Sequence, residues 1–287
     1  MNLRKVLNQK IRMMKLSNTA VRIIVSVIAI PLILLVSYLG KWYFTTFILA
    51  ISLIAFYEFS SFARVKNSFI ILPLGLLGIA AIIINQFNPF IDFRALLIIW
   101  FLVLLIYELF RNKESALLNL GLTTFGFLYF ALTGSSLVAI REFYPDTDQL
   151  YSQGAFLIFS MLGTIWICDS AAFFFGTALG KHKLFPRVSP KKSWEGAIFG
   201  FVFAILSMIL FHKIFVDFLQ LETAIGLGII IGIFGQIGDL VESLLKRDAG
   251  VKDSSNLIPG HGGIFDRFDS LLFSAPFVYY YLFYFGR

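Results

Sequence analysis

The chain has 287 residues, of which 58% are hydrophobic and 14% charged, with a formal net charge of +7. A soluble domain carries about 25% charged residues. The deficit falls in long apolar runs, which excludes an ordinary soluble domain and points to a membrane. The single cysteine, Cys168, excludes a disulfide framework and a cysteine-based metal site.

The first 22 residues hold Arg4, Lys5, Lys10, Arg12, Lys15 and Arg22 and no acid. No small-residue cleavage site follows the next apolar run, so this stretch reads as a retained basic anchor rather than a signal peptide. Apolar runs then follow at 23–39, 43–63, 69–85, 95–110, 117–140, 154–175, 196–213, 223–241 and 268–285. A helix needs about 20 apolar residues to span the hydrocarbon, whereas a barrel strand needs only about 10 alternating ones. The runs therefore predict an all-α integral membrane protein, a polytopic helical bundle of about nine transmembrane helices.

With the N-terminus inside, the inner segments hold 19 of the 24 lysines and arginines and the outer ones hold 5. That asymmetry predicts a cytoplasmic N-terminus and accounts for the net charge by topology and anionic-lipid attraction. No basic patch has a base-reading pattern, so no nucleic-acid partner is expected. Loops are short and plain up to residue 153, and afterwards the polar residues gather in two inner loops. Residues 1–153 read as N-terminal scaffold helices and residues 154–287 as the catalytic region of one integrated membrane unit.

The first inner loop begins in the sixth run, "ICDSAAFFFGTALGKHKLFPRVSPKKSWEG", Ile167 to Gly196. Asp169 follows an apolar run, where an ionised aspartate costs about 2.5–3.5 kcal/mol on insertion scales and normally faces a cavity or a partner. The alternative is a helix-end aspartate reaching the interface. "GTALGKH" departs from a phosphate-binding Walker loop: the glycines are one residue too close, His182 stands where Ser or Thr is needed, and no strand precedes it. "SPKKSWEG" combines a turn-favouring Ser-Pro with Lys191, Lys192, Ser193, Trp194 and Glu195 at the mouth of the seventh helix. Most lysines in such places mark topology or touch headgroups.

The second inner loop runs from Gly235 to Ser270. Asp239, Glu242, Ser243 and Lys246 are spaced i, i+3, i+4, i+7 and so share one helix face. A helix end leaving the bilayer would also be polar, but Asp239 lies deepest, behind "IIIGIFGQIG". Asp266 and Asp269 are i, i+3 at the start of the ninth run, where acids complement a helix dipole. Gly260, Gly262 and Gly263 just before them allow close backbone approach and offer N–H groups to anions. Carboxylates on two helix ends, a glycine loop and several cations suit magnesium and phosphate, because magnesium is held through one or two carboxylates plus substrate phosphates. His261 serves equally well as a ligand, a proton carrier or a structural imidazole.

The run from Ser243 to Asp269, "SLLKRDAGVKDSSNLIPGHGGIFDRFD", resembles the signature of the phosphatidate cytidylyltransferase (CDP-diacylglycerol synthase) family. Its fixed positions are met by Ser243, Lys246, Arg247, Lys252, Asp253, Ser255, Pro259, His261, Gly262, Gly263, Asp266, Arg267 and Asp269. "DSAAFFFG", "GKHKL" and "SPKKSWEG" in the first loop are similar to the family too. The resemblance implies a reaction of CTP with phosphatidic acid to give CDP-diacylglycerol and pyrophosphate with Mg2+, by a homodimer in the bacterial inner or plasma membrane. It implies Asp239 and Asp266 as metal-binding carboxylates, with a second metal position. Asp269, Asp169, Lys246 and Arg267 are then expected to be catalytic. Lys191, Lys192, Ser193, Glu195, Ser243, Arg247, Lys252, His261, Gly262 and Gly263 are expected to bind substrate. A CTP-dependent lipid kinase would share the nucleotide site, and an ion-coupled transporter would explain Asp169 and Asp239 as intramembrane carboxylates. A CDP-alcohol phosphotransferase would need a D-G-x-x-A-R pattern, which the sequence lacks.

Overall fold

The computed structural model describes residues 18–65, 68–111, 113, 115–147, 150–258 and 262–286. The basic stretch 1–17 and Pro259, Gly260 and His261 lie outside the described residues. The described chain forms nine helices: α1 Asn18–Leu39, α2 Lys41–Val65, α3 Leu72–Phe87, α4 Phe93–Arg111, α5 Ala116–Arg141, α6 Tyr151–Leu179, α7 Trp194–Ile214, α8 Leu221–Asp248 and α9 Phe265–Phe285. Each overlaps one apolar run.

Six of them, α2, α4, α5, α6, α7 and α8, are long and apolar enough to cross a membrane on their own. The apolar stretches of α1, Ile23–Leu39, and α3, Leu72–Phe87, are shorter. At 1.5 Å per residue, the 16 residues of α3 reach about 24 Å, short of a hydrocarbon layer of about 30 Å. The first turns of α9 carry Asp266, Arg267 and Asp269, so that helix starts in polar surroundings before it becomes apolar.

A β-hairpin not expected from the sequence joins α6 to α7. Strand β1, Lys183–Phe185, pairs antiparallel with β2, Ser189–Ser193. Ser193 ends the hairpin and begins α7, its hydroxyl accepting from the Gly196 N–H at 3.2 Å as a helix cap.

Helices α6, α7, α8 and α9 pack in sequence order, and α9 also lies against α5. Behind them α5 packs on α2 and α3, and α4 flanks α3. Only Leu96, Trp100, Leu104 and Glu108 of α4 are buried, one residue per turn. Between its terminal arginines the rest of α4 is apolar and mostly exposed, with Leu109 and Phe110 at 77% and 81% exposure. So broad an apolar face would be a liability in water and is ordinary against lipid. The structure is that of an all-α polytopic membrane protein.

Arg141, counted in the charge asymmetry as an outer-loop cation, is fully buried. Its guanidinium donates to the carbonyls of Ser37 at 2.5 Å, Tyr38 at 2.9 Å and Tyr151 at 3.2 Å. The first two are carbonyls of the last turn of α1, which have no partner within their own helix. Arg141 thereby fastens α1 to α5 and α6.

The close contact of α8 with α9 matters most for the site. A Cβ on Gly238 would lie 2.7 Å from Phe273 Cβ and 2.8 Å from the Asp269 carbonyl oxygen. Only the missing side chain lets the two backbones meet there. Gly238→Val is expected to force the helices apart and to cost about 2 kcal/mol, seen as a lower melting temperature of the purified protein in detergent.

Candidate active site

Four helices and a loop converge on a cavity of about 630 Å³. Helix α6 brings Asp169. Helix α8 brings Asp239, Glu242 and Lys246, and α9 brings Asp266, Arg267 and Asp269. The loop after α8 adds Asp253, and Val25, Ala29, Ile30 and Ile33 of α1 form an apolar wall. The cavity therefore combines charged groups with hydrocarbon surface.

Asp239, Glu242 and Asp269 form a ring in which one oxygen of each carboxylate lies within 4.8 Å of the others. The i, i+3 spacing puts the first two on one face of α8, and the contact at Gly238 brings Asp269 across to them. Asp239 Oδ2 is 2.6 Å from Lys192 Nζ, and its Oδ1 accepts from the Ser243 hydroxyl at 3.3 Å. Glu242 is 1% exposed, with Oε2 at 2.6 Å from Lys246 Nζ. Asp269 is 9% exposed, and its Oδ1 accepts from the Ser270 N–H at 2.6 Å.

Two ionised carboxylates at 4.8 Å repel by about 3.5 kcal/mol at an effective dielectric constant of about 20. Lys192 and Lys246 offset part of this. Glu242 Oε1 is buried without a hydrogen-bond partner, an arrangement that is costly unless a ligand completes it. Three carboxylates with a spare buried oxygen suit a hard divalent cation, so the residues present fit a metal.

Asp266 is held differently. Its Oδ1 is 2.6 Å from Lys246 Nζ. Its Oδ2 accepts from the Ser254 N–H, the Ser254 hydroxyl and the Gly263 N–H, each at 2.8 Å. Four donors occupy this carboxylate, and Lys246 bridges it to Glu242. The pair that the resemblance implies is thus split between two tasks in this geometry. Asp239 belongs to the ring, while Asp266 organises Lys246 and the loop.

The other expected residues divide into two groups. Asp169 and Arg267 line the cavity, Lys192 reaches Asp239, and Ser243 lies beside it. Ser193 caps α7. Glu195 accepts from the N–H groups of Lys181 and His182 and lies 2.6 Å from His182 Nδ1, which ties down the start of the hairpin. Arg247 donates to the carbonyls of Val188 at 3.3 Å and Val251 at 3.1 Å, joining the hairpin to the end of α8. Lys191 and Lys252 are exposed and lie off the cavity wall. Gly262 turns with φ +80°, and its carbonyl accepts from the Ile258 N–H at 2.9 Å. The Gly263 N–H points inward to Asp266 rather than outward to an anion.

Sequence reasoning placed Glu242 on the polar face without a role in the ring. It missed Ser254 and the buried Glu58 of α2, whose carboxylate accepts from Ser254, Ser255, Ile264 and Phe265. A lone glutamate within the apolar run 43–63 was the available signal.

The Cytidylyltransferase family profile matches residues 20–285. A protein of Bacillus subtilis named phosphatidate cytidylyltransferase is 34% identical over 269 residues, covering 91% of this chain and 96% of its own length. Proteins of the same name from Staphylococcus epidermidis and Staphylococcus aureus are 34% and 35% identical, each covering 89% of this chain and 96% of the relative. These matches run through both halves, including helices for which hydropathy alone was informative, and the chain belongs to the cytidylyltransferase family.

Proposed function

We infer that this chain is a phosphatidate cytidylyltransferase, transferring CMP from CTP to phosphatidic acid to give CDP-diacylglycerol and pyrophosphate. The observation that carries this reading at the site is a ring of carboxylates, with lysines beside it, in one cavity with an apolar wall. Such a cavity suits one substrate that is a polyanion and another that is a lipid.

The phosphate oxygen of phosphatidate bonds to the α-phosphorus of CTP. The bond from that phosphorus to the oxygen bridging to the β-phosphate breaks, and its electrons leave with pyrophosphate. The nucleophile is already anionic near neutral pH, so no strong general base is required. The difficulty is bringing two anions together and stabilising the charge that grows on the leaving group. Magnesium, held by Asp239, Glu242 and Asp269, would neutralise triphosphate oxygens. Lys192, paired with Asp239, and Arg267, on the cavity wall, add positive charge. Lys246 keeps Glu242 and Asp266 in place. Asp169, on the cavity wall, orients a substrate hydroxyl or water. The diacylglycerol part lies along the α1 wall, in contact with the bilayer.

The lysine and arginine asymmetry supports a site facing the cytoplasm, where CTP is found. The bacterial relatives support the plasma membrane, and a homodimer completes the proposal on the resemblance of the motifs.

Purified protein given phosphatidic acid, magnesium and CTP labelled on the α-phosphate is expected to move label into the lipid, with one pyrophosphate released per lipid labelled. Label reaching the lipid only from the γ-phosphate would make the protein a lipid kinase instead. The ring itself is tested by Mn2+ binding, read by electron paramagnetic resonance without substrates. Asp239→Asn is expected to weaken that binding at least tenfold, while Asp266→Asn leaves it nearly intact. Both variants should lose about a thousandfold in turnover, equivalent to about 4 kcal/mol. Loss of Mn2+ binding in Asp266→Asn would return that residue to the metal.

A further inference from the structure

An ionisable side chain inside a membrane helix is costly and is kept where partners satisfy it. Glu58, in α2, is 4% exposed and lies far from the catalytic motifs in sequence. Four groups donate to its carboxylate. Ser255 Oγ, at 2.5 Å, and the Ile264 N–H, at 3.0 Å, reach Oε1. Ser254 Oγ, at 2.9 Å, and the Phe265 N–H, at 2.8 Å, reach Oε2.

The two backbone donors are at the N-terminus of α9. That helix has no side-chain cap of its own, because its N-cap residue is Ile264. The first N–H groups of a helix need an acceptor from elsewhere and attract negative charge. Glu58 supplies both from α2. Asp266 follows Phe265 directly and Asp269 lies one turn further, so the cap fixes where both carboxylates point.

A second link runs through the loop. Ser254 Oγ lies 2.9 Å from Glu58 Oε2 and 2.8 Å from Asp266 Oδ2. One hydroxyl proton is thereby shared between two carboxylates. A Cβ on Gly263 would run into that hydroxyl and into the Glu58 carboxylate, so the turn is fitted around this contact. From Asp266 the chain of contacts continues to Lys246, then to Glu242 in the ring.

We propose that Glu58 is a positioning residue for cytidylyl transfer. It caps α9 across the fold and, through Ser254, holds Asp266 and Lys246 in their working orientation. This rests on the reading of the Asp239–Asp266 region as the active site. The N-terminal half then contributes directly to the geometry of the reacting region.

The test uses the full chain in lipid nanodiscs, with Glu58→Gln, Glu58→Asp, Ser254→Ala and Asp266→Asn. Glutamine keeps the size of the side chain but turns an NH2 group toward donors. In Glu58→Gln, hydrogen exchange at the Ile264 and Phe265 amides is expected to rise at least tenfold. Its kcat is expected to fall about thirtyfold, with KM for phosphatidate within about threefold and exchange elsewhere unchanged. Glu58→Asp, which keeps the charge, should recover part of the kcat. Wild-type kcat per folded molecule in Glu58→Gln would overturn the proposal, since a purely structural role lowers only the folded fraction. Should Glu58→Gln fail to fold, Ser254→Ala decides: a fall in kcat of about tenfold at an unchanged melting temperature supports the link, and wild-type kcat overturns it. Full turnover by Asp266→Asn would overturn the active-site reading and this proposal with it. An inactive Asp266→Asn beside fully active Glu58 and Ser254 variants would overturn the positioning role alone.

Discussion

One buried ammonium holds the site together. Lys246 Nζ stands 2.6 Å from both Glu242 Oε2 and Asp266 Oδ1, and it joins the last turns of α8 to the first turn of α9. A buried cation between two carboxylates is favourable only where geometry is good and the remaining lone pairs are satisfied. For Asp266 that condition is met in full by Ser254 and Gly263. For Glu242 it is not met, since Oε1 has no partner. The imbalance is useful. The satisfied carboxylate stabilises the loop, and the unsatisfied one remains available to a ligand.

The rest of the architecture follows from bringing these groups together in a bilayer. Polar groups facing lipid are penalised, so the charges must face inward, between helices. Gly238 lets α8 and α9 approach until Asp239 and Asp269 share a site. The hairpin after α6 then folds back so that Lys192 meets Asp239. Glu195 and Arg247, which the resemblance implies at the substrate, secure that hairpin at its start and at its turn. Their charges are used on backbone groups and on the His182 ring, within the hairpin that carries Lys192.

Different parts of the molecule were legible to different degrees for physical reasons. Helices were the clearest, because the apolar length a bilayer demands is a signal along one dimension. The polar face of Asp239, Glu242, Ser243 and Lys246 was clear because it depends only on the helical period. The hairpin was not, since strands of three and five residues in a polar loop leave little periodicity. Which acid joins which could not be read either. Asp266 and Asp269 look equivalent at i, i+3, and only the packing of α8 and the 254–263 loop sends one to Lys246 and the other to the ring. Arg141 shows the same limit, since charge counting treats it as a loop cation while tertiary contacts make it a buried clamp.

The two halves of the chain also meet in a way that composition hides. Residues 1–153 have plain loops and lack the catalytic motifs, yet α1 forms the apolar wall of the cavity and α2 reaches the start of α9 through Glu58. Both contributions answer needs that the C-terminal helices leave open. A lipid substrate requires a hydrocarbon surface beside the charged site, and α9 begins without a cap of its own. A nucleotide enzyme with a lipid substrate therefore cannot confine its working parts to one polar loop. Its charged groups gather between helices, and helices that lack the catalytic motifs help to hold them there.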